Sequence, residues 1–262
     1  MTSARRLLLV VAHPDDETFG SGSLLAHAAA RGVETVVCCA TRGERGEPAP
    51  GSGIERHELP AARERELLAA ASLLGVSRVE ILGLGDSGMD GPPPPGALAA
   101  TPLDDVTAAV AELIDDVRPE VVVTLDGTDG HRDHIHIRDA TLRAVERTSV
   151  KPRVYLQCLA RSLMDRWVEA LRDRDPAAAY LAVGQLGTPD HEITTVLDTA
   201  AYEHVRRQAI ALHGSQVPPF AVMAPELARE FLTVDRLRRA RPPWDGGPLE
   251  TDIFPTALEA IR

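Results

Sequence analysis

Five short apolar runs, each but the last leading into a helical stretch, restrict this chain more than any other feature. The first is "RRLLLVVA" at residues 5–12. Four more follow: "VETVVCCAT" at 33–41, "RVEILGL" at 78–84, "EVVVTLDG" at 120–127 and "RVYLQCLA" at 153–160. Runs without polar alternation mark strands buried on both faces, as in a parallel sheet. The segments between them suit helices over 18–31, 56–75, 104–117 and about 133–147. Gly32 and Gly75 are placed to end the first two, and Pro119 stops the third. The alternation predicts an α/β fold of three layers: a Rossmann-like, doubly wound, mostly parallel sheet with right-handed crossovers and strand order 3-2-1-4-5.

Beyond residue 160 the pattern loosens. A polar strand near 192–198 and a helix near 200–213, closed by Gly214, are expected there. The proline-rich stretches 91–102, 217–225 and 242–248 read as loops, and "RLRRAR" at 236–241 as a solvated helix face. No repeat or linker divides the chain. A single domain over 1–262 is expected, with a motif-bearing half of about 1–150 and a specificity-shaping half of about 150–262. The 262 residues suffice for one large core. A formal charge of −11 argues against nucleic acid or an anionic membrane as partner, since phosphate contacts require a basic face. No apolar run approaches the roughly 20 residues that span a bilayer, and Leu7–Val11 is too short for a signal peptide. Three cysteines make no disulfide framework; Cys38 and Cys39 should point to opposite faces of one strand. A cytoplasmic setting is expected, and a homo-oligomer is left open.

The chemistry lies in two polar clusters. "AHPDDE" puts His13, Asp15, Asp16 and Glu17 at the exit of the first strand, where a buried strand need only turn. Asp126, Asp129, His131, Asp133, His134 and His136 follow the fourth strand. In the expected strand order these two strands are neighbours whose loops leave in opposite directions, so a crevice opens at their carboxyl ends. Imidazole plus carboxylate suits zinc, with three protein ligands and a position left for water. His13 and Asp16 can face one ion across the turn. Spacing alone does not choose among His131, His134 and His136 to complete the set. Asp133 suits either a carboxylate orienting His131 or His134, or an acid favoured at a helix start.

With "AHPDDE" come "GSGSLLAHAAARG" at 20–32, "TRGERGE" at 41–47 and "GHRDHIH" at 130–136. In that order these motifs resemble the PIG-L/LmbE family of metal-dependent N-deacetylases. "GDSGM" at 85–89 is similar to a segment of the mycothiol-pathway branch, and "HGSQ" at 213–216 to a short late motif. The resemblance implies Zn2+ as cofactor, with Fe2+ or another divalent metal as alternatives, and His13, Asp16 and His134 as its ligands. It implies Asp15 as general base and His131 as an electrophilic or acid histidine. Arg63, Asp86 and Glu47 are implied as substrate contacts, and a small N-acylated amino sugar or glycoside as substrate.

Two positions depart from the family's pattern. Arg132 stands where proline is usual, and Asp129 where the mycothiol branch has tyrosine. A phenol can donate a hydrogen bond to an oxyanion and an ionised carboxylate cannot. A protonated His131, together with the metal, is then expected to hold the developing charge. Aromatic residues make up only 3% of the chain, so stacking platforms for a sugar should be scarce. Two other readings compete. One is a zinc-bearing sugar-binding protein without catalysis. The other is a ferrous oxygenase, which the alternation of strands and helices disfavours.

Overall fold

The computed structural model describes residues 5–174, 181 and 184–254. The five apolar runs form strands β1 (Arg6–Val11), β2 (Glu34–Cys39), β3 (Arg78–Ile81), β4 (Val121–Leu125) and β5 (Arg153–Cys158). All five are parallel, with Val10 level with Cys38 on one side and with Thr124 on the other. The whole sheet has the order β3-β2-β1-β4-β5-β7-β6. Of β1, only Arg6 is not fully buried, and every residue of β4 is buried. Helices cover both faces. The first helical stretch breaks at Gly20 and Ser21 into α1 (Asp16–Phe19) and α2 (Gly22–Ala30). These lie on one side with α3 (Leu59–Leu73), while α4 (Leu103–Val117) and α5 (Arg132–Arg147) pack together on the other.

The second half holds more regular structure than its sequence suggests. It contains α6 (Arg161–Arg174), β6 (Thr195–Asp198), α7 (Glu203–Leu212), α8 (Pro225–Thr233) and β7 (Val234–Arg241). The expected helix over "RLRRAR" is therefore corrected: these residues form the last six positions of β7, antiparallel to both β5 and β6. Its arginines are paired, Arg239 with Glu250 at 2.7 Å and Arg241 with Glu146 at 2.9 Å, so charge does not forbid a strand here. The expected loop 217–225 contains a short helical turn at Pro219–Val222 and runs straight into α8. Cys38 and Cys39 are both buried, as is Cys158.

Arg206, on α7, ties this half to the motif-bearing turn. Its side chain is 2% exposed. It donates to the carbonyls of Thr18 at 3.2 Å, Phe231 at 3.2 Å and Phe19, and lies 3.7 Å from Asp235. Removing one partner of a buried pair leaves the other uncompensated, at a cost of about 3–5 kcal/mol. Arg206→Met should lower stability by about that amount, read from the shift of the urea unfolding midpoint; an unchanged midpoint would refute this role.

Candidate active site

The two polar clusters meet where β1 and β4 end side by side. His13 follows β1 and is buried. Its Nδ1 lies 3.2 Å from Nε2 of His134, on the first turn of α5, and 3.6 Å from Oδ2 of Asp16. Oδ1 of Asp16 lies 3.4 Å from His134 Nε2. The outer nitrogens fix how the rings are presented. His134 Nδ1 donates to Asp129 at 2.5 Å, and His13 Nε2 to Asp133 at 3.2 Å. With the outer nitrogens engaged by carboxylates, the two inner nitrogens are the ones free to take a cation, a proton or a metal ion, between them.

That donor set fits a metal ion. Four-coordinate zinc with Zn–N bonds of about 2.0–2.1 Å sets its donors roughly 3.3–3.4 Å apart; the two nitrogens here are 3.2 Å apart, with Asp16 Oδ2 3.6 Å from one and Oδ1 3.4 Å from the other. Two imidazole nitrogens 3.2 Å apart are held together by a shared proton or by a cation that replaces it. The surrounding acids favour positive charge here. Burial opposes it, yet the Asp133, Asp16 and Asp86 carboxylates hold His13 well above its ordinary pKa. Asp16 and Asp129 likewise outweigh burial and carry His134 up to about 10. His13, His131 and His134 offer a grouped set of nitrogens, and His13 with Asp86 and Asp133 a second acidic group on the far edge of its ring. His136 joins neither.

Asp15 sits beside this point in an unusual backbone conformation. Its φ is 124°, a region that a residue with a side chain adopts only when its surroundings impose it. Here they do. The Asp15 N–H donates to Glu17 at 2.9 Å, and its carbonyl accepts from Thr18 and Phe19. Glu17 is fully buried and pairs at 2.9 Å with His213, the first residue of "HGSQ". The late motif therefore acts through Glu17 on the Asp15 turn. Asp15 Oδ2 lies 3.0 Å from the buried guanidinium of Arg63, which also donates to the carbonyls of Gly43 and Pro14. Gly43 has φ 62°, and a Cβ there would come within 2.2 Å of Arg63, so this approach requires glycine. Burial pushes the Asp15 carboxyl up to about 6 against the pull of Arg63.

The remaining expected residues divide. Asp86 lines the same cavity, accepting the N–H groups of Arg45 and Gly88, with Oδ1 3.6 Å from His13. Glu47 does not join it. Its side chain is 83% exposed and paired with Arg56, while its neighbours Arg45 and Gly46 line the cavity instead. Asp133 is fully buried and holds His13, rather than the expected His131 or His134. His131 caps α5: its Nδ1 accepts the Asp133 N–H at 3.1 Å, and its ring stacks on His134. An Nδ1 that accepts a hydrogen bond carries no proton, so the expected imidazolium is corrected to a neutral ring with its proton on Nε2. Burial and the nearby His13 and His134 also push its pKa down, to about 4.

Asp129, which the sequence marks only as a departure from a tyrosine, is the residue behind His134. An acid five residues before a candidate ligand, across a helix start, was the available signal. Asp129→Asn removes the carboxylate that fixes this imidazole. Metal affinity should fall about 10–100-fold, measured by competition with a chelating dye; unchanged affinity would refute the contact's role.

Residues 8–145 match the family described as PIG-L: GlcNAc-PI de-N-acetylase. The chain is 34% identical over 277 residues to a 1D-myo-inositol 2-acetamido-2-deoxy-alpha-D-glucopyranoside deacetylase of Acidothermus cellulolyticus, covering 95% of this chain and 94% of that one. To the protein of that name from Mycolicibacterium gilvum it is 37% identical, covering 81% of each. Among solved structures, N,N'-diacetylchitobiose deacetylase from Pyrococcus horikoshii shares the fold with TM-score 0.58 at 20% identity, over 90% of this chain and 84% of that one. The 4-carboxy-2-hydroxymuconate hydratase GalB from Pseudomonas putida shares it with TM-score 0.60 at 19% identity, over 93% of this chain and 99% of that one. A hydratase and a deacetylase on one fold leave the chemistry to be argued from the site. With the family match spanning more than half of its length and the relatives nearly all of it, the chain belongs to the PIG-L family of GlcNAc-PI de-N-acetylases.

Proposed function

We propose that this chain is a hydrolytic N-deacetylase that uses a divalent metal, zinc in the first instance, to cleave the amide of an N-acylated amino sugar or glycoside. One observation carries the reading: the inner nitrogens of His13 and His134 lie 3.2 Å apart with the two oxygens of the Asp16 carboxylate 3.6 and 3.4 Å from them, while the Asp15 carboxylate lines the same cavity and is turned to Arg63. A purely structural metal site needs no spare acid and is normally closed by a fourth ligand. This favours catalysis over a sugar-binding role.

His13, Asp16 and His134 would hold the cation, which when bound supplies a Lewis acid and brings the pKa of water toward about 7. Asp15, anchored through Oδ2 by Arg63, accepts the proton of the attacking water. His131 directs Nε2–H at the oxygen that gains charge, a donor contribution of roughly 3–4 kcal/mol. The leaving nitrogen needs a proton. His131 is neutral and would become an imidazolate on giving up its only one, so Asp15 returns the proton it took. Arg45 and Asp86 line the polar side of the cavity and suit sugar hydroxyls. Glu47, paired with Arg56, is left out of this role.

The relatives from Acidothermus cellulolyticus and Mycolicibacterium gilvum are named as deacetylases of an acetamido-glucopyranoside of inositol, which is the first substrate to try. Three buried, unpaired cysteines suit a reducing compartment, and among the described residues no helix is long and apolar enough to cross a membrane. The test is acetate release from a panel of N-acetylglucosaminides, with and without chelator. Release abolished by chelator and restored by zinc is expected. No release from any member by the metal-loaded protein would favour the binding-protein reading.

A further inference from the structure

The cavity at this site is far larger than an acetyl group needs, at about 530 Å³. Its two flanks differ in chemistry. On the β2–β3 side it is walled by Arg45, Gly46, Asp86 and Gly88, with Met89 as the one large apolar side chain among them. On the β5 side it runs past Gln157 and Cys158 into a chamber walled by Leu163, Met164, Trp167, Leu186, Phe220 and Phe231. Four of these six are less than 7% exposed, so the chamber is part of the interior.

Aromatic residues, scarce in the chain, are concentrated here. Phe19, Trp167, Phe220 and Phe231 all line the cavity, four of the chain's nine Phe, Trp and Tyr residues. Charges that reach this flank are already engaged. Arg206 binds backbone carbonyls and faces Asp235, and Arg236 faces Glu230 at 3.4 Å. A chamber of this kind rewards apolar surface and gives a sugar hydroxyl little to bind.

We propose that this chamber seats the acyl chain of the substrate amide, so that the enzyme removes acyl groups longer than acetyl from an amino sugar. The proposal rests on the amide-hydrolase reading above. Strand order supplies the direction. The metal-ligand set hangs from β1 and β4, the polar flank lies toward β2 and β3, and the apolar chamber lies beyond β4 at β5. An amide whose sugar takes the polar flank has its acyl carbon pointing the other way. The bond broken is still the amide C–N bond. The oxygen of water ends on the acyl carbon as a carboxylate, and the nitrogen leaves as a free amine, so water is the only co-reactant.

The experiment uses the zinc-loaded full chain and glucosaminides bearing N-acetyl, N-butanoyl, N-hexanoyl and N-octanoyl groups, with free amine as the readout. kcat/KM should rise about fourfold with each added methylene until the chamber is full. Met164→Trp, and Met164→Phe as the milder change, should lower the hexanoyl-to-acetyl ratio at least roughly fivefold, the loss of one to two buried methylenes. Because a ratio is read, partial loss of folded protein does not produce this result. Rates highest for acetyl and falling with length would overturn the proposal and leave the deacetylase reading standing. So would rates that respond to the length of an alkyl aglycone at fixed acetyl, which would assign the chamber to the other end of the substrate. No amine from any amide would defeat the hydrolase reading itself.

Discussion

Asp15→Asn is expected to keep the metal and lose about a thousandfold in kcat, within the range of about 10²–10⁴ that a positioned general base contributes. The substitution conserves shape, so Arg63 can still meet a carbonyl oxygen where it now meets Oδ2 at 3.0 Å. The backbone turn is untouched, since Glu17 binds the main-chain N–H of residue 15 and not its side chain. What disappears is a proton acceptor beside the reacting centre. Two numbers check this: kcat, and zinc content per chain. A variant with normal turnover would show that another group takes the proton. A variant with lost metal would show that Asp15 is a ligand and that the division of roles between it and Asp16 is wrong.

His134→Ala should act on the opposite quantity. It removes one of three donors and also leaves two carboxylates facing empty space, Asp16 at 3.4 Å and Asp129 at 2.5 Å from the missing ring. Loss of a carboxylate behind a ligand costs about 10–100-fold in affinity, and loss of the ligand itself should exceed about 100-fold. Equilibrium dialysis against zinc measures it. Retained affinity would move the metal to the other acidic group, formed by His13, Asp86 and Asp133. The contrast between the two variants matters more than either alone: one keeps the ion without turnover, the other loses the ion.

The first half of the chain was legible because strands buried on both faces leave uninterrupted apolar runs. "RLLLVV" and "VVVTL" became β1 and β4, and their adjacency follows from the winding of such a sheet. That adjacency was enough to bring His13 and His134 together across 121 positions. β7 failed the same test because it runs antiparallel and carries arginines paired with carboxylates from elsewhere, so its sequence resembles a charged helix. α6 and α8 were missed for want of any motif to anchor them, and they build the chamber. Within the site, residue types and spacing located the ligand candidates but not the partners behind them. Asp129 holds His134 across the start of α5 while Asp133, inside α5, holds His13 from 120 positions away, and the assignment of which acid holds which ring exists only in three dimensions. Glu47 is the reverse case: the right neighbourhood, with its side chain turned out to Arg56. His213 gave only a weak signal in sequence, and its role depends on Glu17, nearly 200 positions away.

All the chemistry assigned to this chain presumes that one cation sits where His13 Nδ1, His134 Nε2 and the Asp16 carboxylate face one another. Anomalous diffraction from zinc-soaked crystals at the zinc edge measures that position directly. A single peak within bonding distance of those three side chains, with Asp15 outside the coordination sphere, is the predicted result. A peak between His13 Nε2, Asp86 and Asp133, or one bonded to Asp15, would contradict it.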